Sequence, residues 1–321
     1  MAAGRRPERW AGFRSILCPV DFSDQSRLAL RYADAVARRA RGALHVCYVN
    51  DPLLVAAASS RLHYPGLVIQ SKRELQTFVE TALPRRSSKE RVPTFRTVTG
   101  VPADQILKEA ERLRADLIVL GTHGLTGAER LFLGSTTIGV LERAKVPVLT
   151  VPRVKNQTDS APPPSWPGRY ILAAVDLDGD SRTDVDAAVR IAKWFGSSLL
   201  LLHVIAAPVA PSWLGGNLKG RRRTLLGEAE NQLEQLAAIA RDEVHVESRV
   251  VCGRIAEKIA AVAVSEQIEL STTALRDRRG WFGARRGSMS YHVLTHATAP
   301  VLAYPPEWTR ALRNGKRRTA F

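Results

Sequence analysis

The sequence predicts an α/β protein made of two tandem doubly wound domains, each a parallel sheet with helices on both faces. Three observations predict it. The chain repeats itself almost end to end: Ile16-Leu17-Cys18-Pro19-Val20-Asp21 matches Ile171-Leu172-Ala173-Ala174-Val175-Asp176, Gly100 matches Gly253, Gly134-Ser135 matches Gly287-Ser288, and Val146-Pro147-Val148-Leu149 matches Ala299-Pro300-Val301-Leu302. The offset is 155 residues early and 153 late, so whole domains are duplicated rather than short solenoid units. Within each copy, short continuous apolar runs alternate with amphipathic stretches, the pattern of parallel strands buried on both faces and joined by right-handed helical crossovers. Between the copies lies a proline-rich stretch, Ala161-Pro162-Pro163-Pro164 followed by Trp166-Pro167-Gly168, which favours an extended spacer.

The first copy reads as follows. Ile16–Val20 is a buried strand. Ser23 is placed to cap the next helix, whose Leu28, Tyr32, Ala35 and Val36 fall on one face, and Gly42 marks its stop. Leu44–Val49 is the second strand, Ser71 to Ala82 a helix, and Phe95–Thr99 the third strand. Pro102 opens a helix to about Arg114. Leu117–Leu120 is the fourth strand, Ser135 to Ala144 a helix, and Val148–Val151 the fifth strand. The expected domain plan is residues 1–153, a linker over 154–168, a second domain over 169–306 and a basic tail over 307–321 carrying Arg310, Arg313, Lys316, Arg317 and Arg318.

Composition narrows the classes. The chain has 321 residues, 47 basic and 31 acidic side chains, a net charge of +16 and 45% hydrophobic residues. It is too apolar for a disordered chain and too charged for a polytopic membrane protein. The uncharged stretch between Lys193 and Lys219 holds Leu199–Leu202 but also His203, Pro208, Pro211, Gly215 and Gly216, so it reads as a buried strand and a loop, not a membrane span. No apolar core follows the basic N-terminal residues, so no targeting segment is expected. Cys18, Cys47 and Cys252 sit in apolar runs without ligand spacing, which suits reduced thiols and a cytoplasmic setting.

In a doubly wound sheet, ligands bind beyond the carboxyl ends of the strands, where the winding reverses. That rule nominates the turns beginning at Asp21 and Gly121, which become neighbours if the first and fourth strands are adjacent. The second turn carries Gly121, Gly124 and Gly134 at G-x2-G-x9-G, then Ser135-Thr136-Thr137 at a helix start. Glycines let backbone amides approach phosphate oxygens, and a helix start adds unpaired N–H groups and the positive end of its dipole. The three hydroxyls can donate to the same oxygens. No GK[ST] occurs, so this is not a Walker A loop. The same residues also suit an ordinary loop with a helix cap. Asp21 can accept from a ribose hydroxyl or an adenine amine, or it can serve only to cap the following helix.

The spacing Gly121-x2-Gly124-x9-Gly134-Ser135, with Pro19-Val20-Asp21 upstream and Val146-Pro147-Val148-Leu149 downstream, resembles the universal stress protein family, over the whole chain as two tandem copies. The resemblance implies Rossmann-like domains with five-stranded sheets of order 3-2-1-4-5. It implies ATP or a related adenine nucleotide as ligand in the first copy. Pro19, Val20 and Asp21 would line the adenosine site, and Val49 would meet adenine through its main chain. Leu120, Gly121, His123 and Gly124 would wrap ribose and phosphates, and Gly134, Ser135, Thr136 and Thr137 would hold the phosphates. A magnesium ion can accompany those phosphates. His123 reads as a contact or a plain loop residue rather than a catalyst, since no paired carboxylate accompanies it. The duplication suggests that the two copies pack as an internal pseudo-dimer, and the resemblance implies pairing through the last strands, Val148–Val151 and Val301–Tyr304. Association of two chains is left open.

The second copy departs from the motif. Ala274 stands at the Gly121 position and Asp277 at the Gly124 position, where a carboxylate would repel phosphate, although Asp176 keeps the Asp21 position. A degenerate site serving packing or regulation is expected. Asp176, Asp178, Asp180 and Asp184 resemble the start of a calcium loop, but Ser181 and Ala187 occupy the positions that need glycine and a carboxylate, so a helix cap and an acidic, solvated turn are expected there and no metal. Basic runs at Lys219–Arg223 and Arg276–Arg286, the latter with Trp281 and Phe282, suit polyanions, yet nothing has the spacing of a sequence-specific nucleic-acid reader. The leading expectation is therefore a stress-response or regulatory module with ATP as ligand. The alternatives are a weak ATPase, for which no catalytic base stands out, and a scaffold that binds polyanions.

Overall fold

The computed structural model describes residues 10, 12–60, 66–88, 90–122, 133–152, 162, 166–206, 215–275 and 289–313. The chain divides into two compact units. One comprises residues 1–164 and 303–321, the other residues 165–302.

In the first unit the order of elements is β1 (Ser15–Val20), α1 (Asp24–Ala40), β2 (Ala43–Asn50), α2 (Pro52–Ser60), α3 (Leu67–Ala82), β3 (Thr94–Thr99), α4 (Pro102–Arg112), β4 (Leu117–Gly121), α5 (Ser135–Arg143) and β5 (Val148–Val151). The strands are parallel in the order β3-β2-β1-β4-β5. The winding reverses between β1 and β4, the order that the family resemblance implies. Every residue of β1 and of β5 is buried, and Ile16, Leu17, Leu117, Ile118 and Leu149 are at most 2% exposed, because helices cover both faces of the sheet.

Helix α1 begins where the sequence places it: Ser23 Oγ accepts from the Ser26 amide at 3.1 Å. Its end is built differently. The left-handed residue is Arg41, at φ 48°, and Gly42 is needed for space, since a Cβ there would lie 2.6 Å from the Arg14 carbonyl oxygen. Helix α2 is absent from the sequence reading, and α3 starts at Leu67 rather than Ser71.

The second unit repeats the plan with β6 (Tyr170–Ala174), α6 (Ser181–Phe195), β7 (Ser198–Ala206), α7 (Gly215–Ala240), β8 (Val246–Gly253), α8 (Ile255–Ser265), β9 (Leu270–Ala274), α9 (Met289–His296) and β10 (Val301–Tyr304). The order is β8-β7-β6-β9-β10, with β6 to β9 parallel. Leu199–Leu202 lies in β7 as predicted, whereas Gly215 and Gly216, read as loop breakers, open α7. Strand β10 straddles the division between the units. Beyond it, residues predicted as the start of a basic tail form α10 (Pro306–Arg313), which counts with the first unit. There the Trp308 ring meets Trp10 edge to face at 5.6 Å and Tyr304 at 5.7 Å, and Trp10 meets Phe13 at 5.1 Å. Trp308 is buried.

Candidate nucleotide site

The site forms where two neighbouring strands part. Strands β1 and β4 pair at Ile16–Leu117 and Leu17–Ile118, and the ladder then ends. Each strand runs three residues further, β1 to Val20 and β4 to Gly121. Over that stretch β1 stays paired with β2 as far as Val20–Tyr48, and β4 with β5 as far as Gly121–Val151. A crevice therefore opens between Pro19-Val20 and Leu120-Gly121, at the point where a doubly wound sheet offers its binding cleft.

Asp21 stands at one lip. Its Oδ1 accepts from the Ser23 amide at 3.1 Å and from Ser23 Oγ at 2.5 Å, while its own amide donates to Ser26 Oγ at 3.3 Å. The turn passes through Phe22 at φ 66°, a left-handed conformation costly for a side chain with a Cβ. The Asp21–Ser23 bonds hold it, and so does the Phe22 ring, which lies 4.5 Å from the Tyr48 ring and 5.6 Å from that of Phe78. Burial, then the charges of Asp21 and Asp51, push the Tyr48 phenol above its ordinary value. Val49, next along β2, is half-buried.

The other lip is the start of α5. Thr122 donates its amide to the Val151 carbonyl at 3.1 Å and accepts from the Gly134 amide at 2.7 Å, which ties together the two ends of the glycine loop. Thr137 Oγ1 donates to the Gly121 carbonyl at 2.9 Å. Gly134 caps α5 without a side chain, so the first-turn amides of Ser135, Thr136 and Thr137 have no acceptor within the helix. Ser135 is exposed and Thr136 half-buried, whereas Thr137 is 3% exposed with its hydroxyl proton already given to Gly121. His123 and Gly124 lie outside the described residues.

Two contributors escape a reading of the sequence. Gln25, buried on α1, donates Nε2 to the Val151 carbonyl at 2.6 Å and so fixes the first turn of α1 against the end of β5. Nothing in the sequence marks a helix-face glutamine for that role. Tyr48 was legible only as one aromatic in an apolar run.

The corresponding place in the second unit is shorter along the strands. The β6–β9 ladder has three pairs, Ile171–Leu270, Leu172–Ser271 and Ala173–Thr272, one more than its counterpart, and β6 stops at Ala174, the Pro19 position. The strands separate later and over a shorter distance. His203, at the Tyr48 position, binds the Val175 carbonyl through Nδ1 at 2.8 Å, and Leu275 beyond the end of β9 is fully buried. Asp277 and the basic run over 276–286 lie outside the described residues.

No helix among the described residues is long and apolar enough to cross a membrane.

The comparisons agree with this architecture. The family model described as the universal stress protein family matches residues 12–152 and 169–305. A universal stress protein of Methanocaldococcus jannaschii is 31% identical over 147 residues, covering 45% of this chain and 85% of its own. One from Thermus aquaticus is 32% identical over 147 residues, covering 43% of this chain and 98% of its own. The crystal structure of a universal stress protein from Archaeoglobus fulgidus shares the fold over 92% of this chain and 98% of its own, with a TM-score of 0.62 at 18% identity. With two matched segments and a structure that repeats one α/β plan in each, the chain belongs to the universal stress protein family as a tandem two-domain member.

Proposed function

We propose that the first domain binds ATP or a related adenine nucleotide and that the protein acts as a nucleotide-responsive module in a stress or regulatory response. One observation carries the reading: the β1–β4 crevice has a carboxylate, Asp21, at one lip and the uncapped amide end of α5 at the other. That pairing suits a ligand with hydroxyl or amine donors at one end and an anion at the other.

In this reading Pro19 and Val20 form the floor beside the nucleoside, with Leu120 and Gly121 opposite. Asp21 accepts from ribose or adenine, and the Val49 main chain meets the base. Gly134, Ser135 and Thr136 face the phosphates, joined by His123 and Gly124 from the loop. Thr137 supplies its amide, while its hydroxyl keeps the loop in place. A magnesium ion would arrive with the phosphates. Family membership supports the reading, and the longer β6–β9 pairing of the second domain favours a role there in packing or regulation.

The test is calorimetric titration of the full chain with ATP and AMP. Gly124→Asp, which copies the second domain's residue, should weaken ATP binding at least tenfold, and Asp21→Ala should weaken ATP and AMP alike. Unchanged affinity in both variants would show the crevice is not the site.

A further inference from the structure

Outside the crevice, one arrangement of side chains in the second unit has chemistry of its own. Helix α9 carries His292 and His296 one turn apart, so both imidazoles project from the same face. Their ring centres are 5.7 Å apart with planes inclined by 43°, and both residues are half-buried. The helix packs on α8 and on β6 and β9.

The hydrogen bonds decide which nitrogens can accept a ligand. Thr295 Oγ1 donates its one proton to the Tyr291 carbonyl at 2.7 Å. The same oxygen lies 2.8 Å from His296 Nδ1. With that proton given to Tyr291 the oxygen accepts, and His296 then carries its hydrogen on Nδ1 and presents a lone pair at Nε2. This is the tautomer lock found around metal-bound histidines, where the second nitrogen is fixed by a neighbouring oxygen. On His292, Nδ1 is shielded from solvent and has no hydrogen-bond partner among the described residues. A buried imidazole nitrogen without a partner is better accommodated as a lone pair with the proton on Nε2 than as an unpaired N–H.

We propose that His292 and His296 form a binding site for a borderline divalent transition-metal ion such as Zn²⁺, Ni²⁺ or Cu²⁺, held through Nδ1 of His292 and Nε2 of His296, the half-buried His292 ring turning to bring Nδ1 to the ion and water completing the coordination on the solvent side. Imidazole nitrogens select such ions over magnesium or calcium. Two imidazoles on one tetrahedral ion, each about 2.0–2.1 Å from it, hold their ring centres about 5 Å apart. The observed separation is 5.7 Å. The first domain has Gly139 and Arg143 at the matching positions, so the site belongs to the second domain alone.

The experiment is titration of the full chain, free of nucleotide, with Zn²⁺ and Ni²⁺ against a chromophoric chelator. One equivalent should bind with micromolar affinity. His292→Ala and His296→Gln should each lose at least tenfold. Thr295→Val, which removes the tautomer lock and keeps both ligands, should lose a few-fold, and His245→Ala should change nothing. The resonance spectrum of Cu²⁺ bound to the unmodified protein should show two nitrogen ligands, which tests the site even where a variant fails to fold. No saturable binding below about 1 mM, full affinity in His292→Ala, or fewer than two nitrogens on Cu²⁺ would each overturn the proposal.

Discussion

Thr137 gives its hydroxyl proton to the carbonyl oxygen of Gly121 across 2.9 Å, joining the first turn of α5 to the last residue of β4. With the Gly134–Thr122 bond, it fixes the mouth of the glycine loop from both ends. Thr137→Val keeps the shape and leaves the Gly121 carbonyl short of a donor. The expected cost is about 1–3 kcal/mol in chemical denaturation, together with weaker ATP binding. Ser135→Ala at the exposed neighbour should change stability by less than about 0.5 kcal/mol and still weaken ATP binding. Calorimetry and denaturant titration on the two variants separate a residue that shapes the loop from one that touches ligand.

The cysteines should differ in reactivity. Cys18 and Cys47 are buried, and burial is the main cause that raises both thiols, Cys47 to about 12. Only thiolates react with disulfide reagents. At pH 8 the native protein should therefore release about one equivalent of chromophore from Ellman's reagent, from half-buried Cys252, and three in denaturant. A second fast equivalent from the native protein would contradict the burial of β1 and β2.

Stability should fall in mild acid partly through His45. Burial, then the positive charge of Arg112, lowers its affinity for protons in the folded state. The unfolded chain titrates near 6.5, so below that pH it binds more protons than the folded chain does. Stability from neutral His45 is therefore complete above about pH 6.5 and is lost as the pH falls toward the lower folded value. His45→Gln should flatten that part of the stability–pH curve, read as the difference from the parent between pH 7.5 and 5.5.

Gly42→Ala should be destabilising by about 1–3 kcal/mol. The added methyl carbon would lie 2.6 Å from the Arg14 carbonyl oxygen, and backbone must move to admit it. Gly179→Ala, with open space around the Cβ, is the control and should lie within about 0.5 kcal/mol of the parent. Thermal unfolding of the two variants makes the comparison.

The strands were legible because both faces of the sheet are covered, and that writes apolar runs such as Ile16–Val20 and Leu117–Leu120 directly into the sequence. The alternation of strand and helix pointed to a doubly wound sheet, but the adjacency of the first and fourth strands was legible only through the family resemblance. Helix α2 has no signature in the hydrophobic pattern although its start is written there: Asp51 Oδ1 accepts from the Leu53 amide at 2.7 Å, and Pro52 occupies the first helical position. Its run Leu53-Leu54-Val55-Ala56-Ala57-Ala58 has no polar face, so periodicity gave no signal. The end of α1 was placed on Gly42, but the left-handed residue is Arg41. Glycine is retained one position later because another segment's carbonyl comes too close for a side chain. At the site, the glycine spacing and Asp21 were visible as types and distances along the chain. The parting of β1 from β4, the Gln25–Val151 bond and the spent proton of Thr137 depend on segments remote in sequence, which no local pattern records.

The last helix bears on how this protein can be dissected. Because α10 brings Trp308 against Trp10, a fragment that stops in the proline-rich spacer lacks a piece of its own interior, although it contains every residue of the leading β1–β5 sheet. Such a fragment would expose indole surface that is normally covered and would be prone to aggregate. Ligand studies on the isolated front half should graft the closing residues back by a flexible tether, or circularly permute the gene so that both stretches are made together.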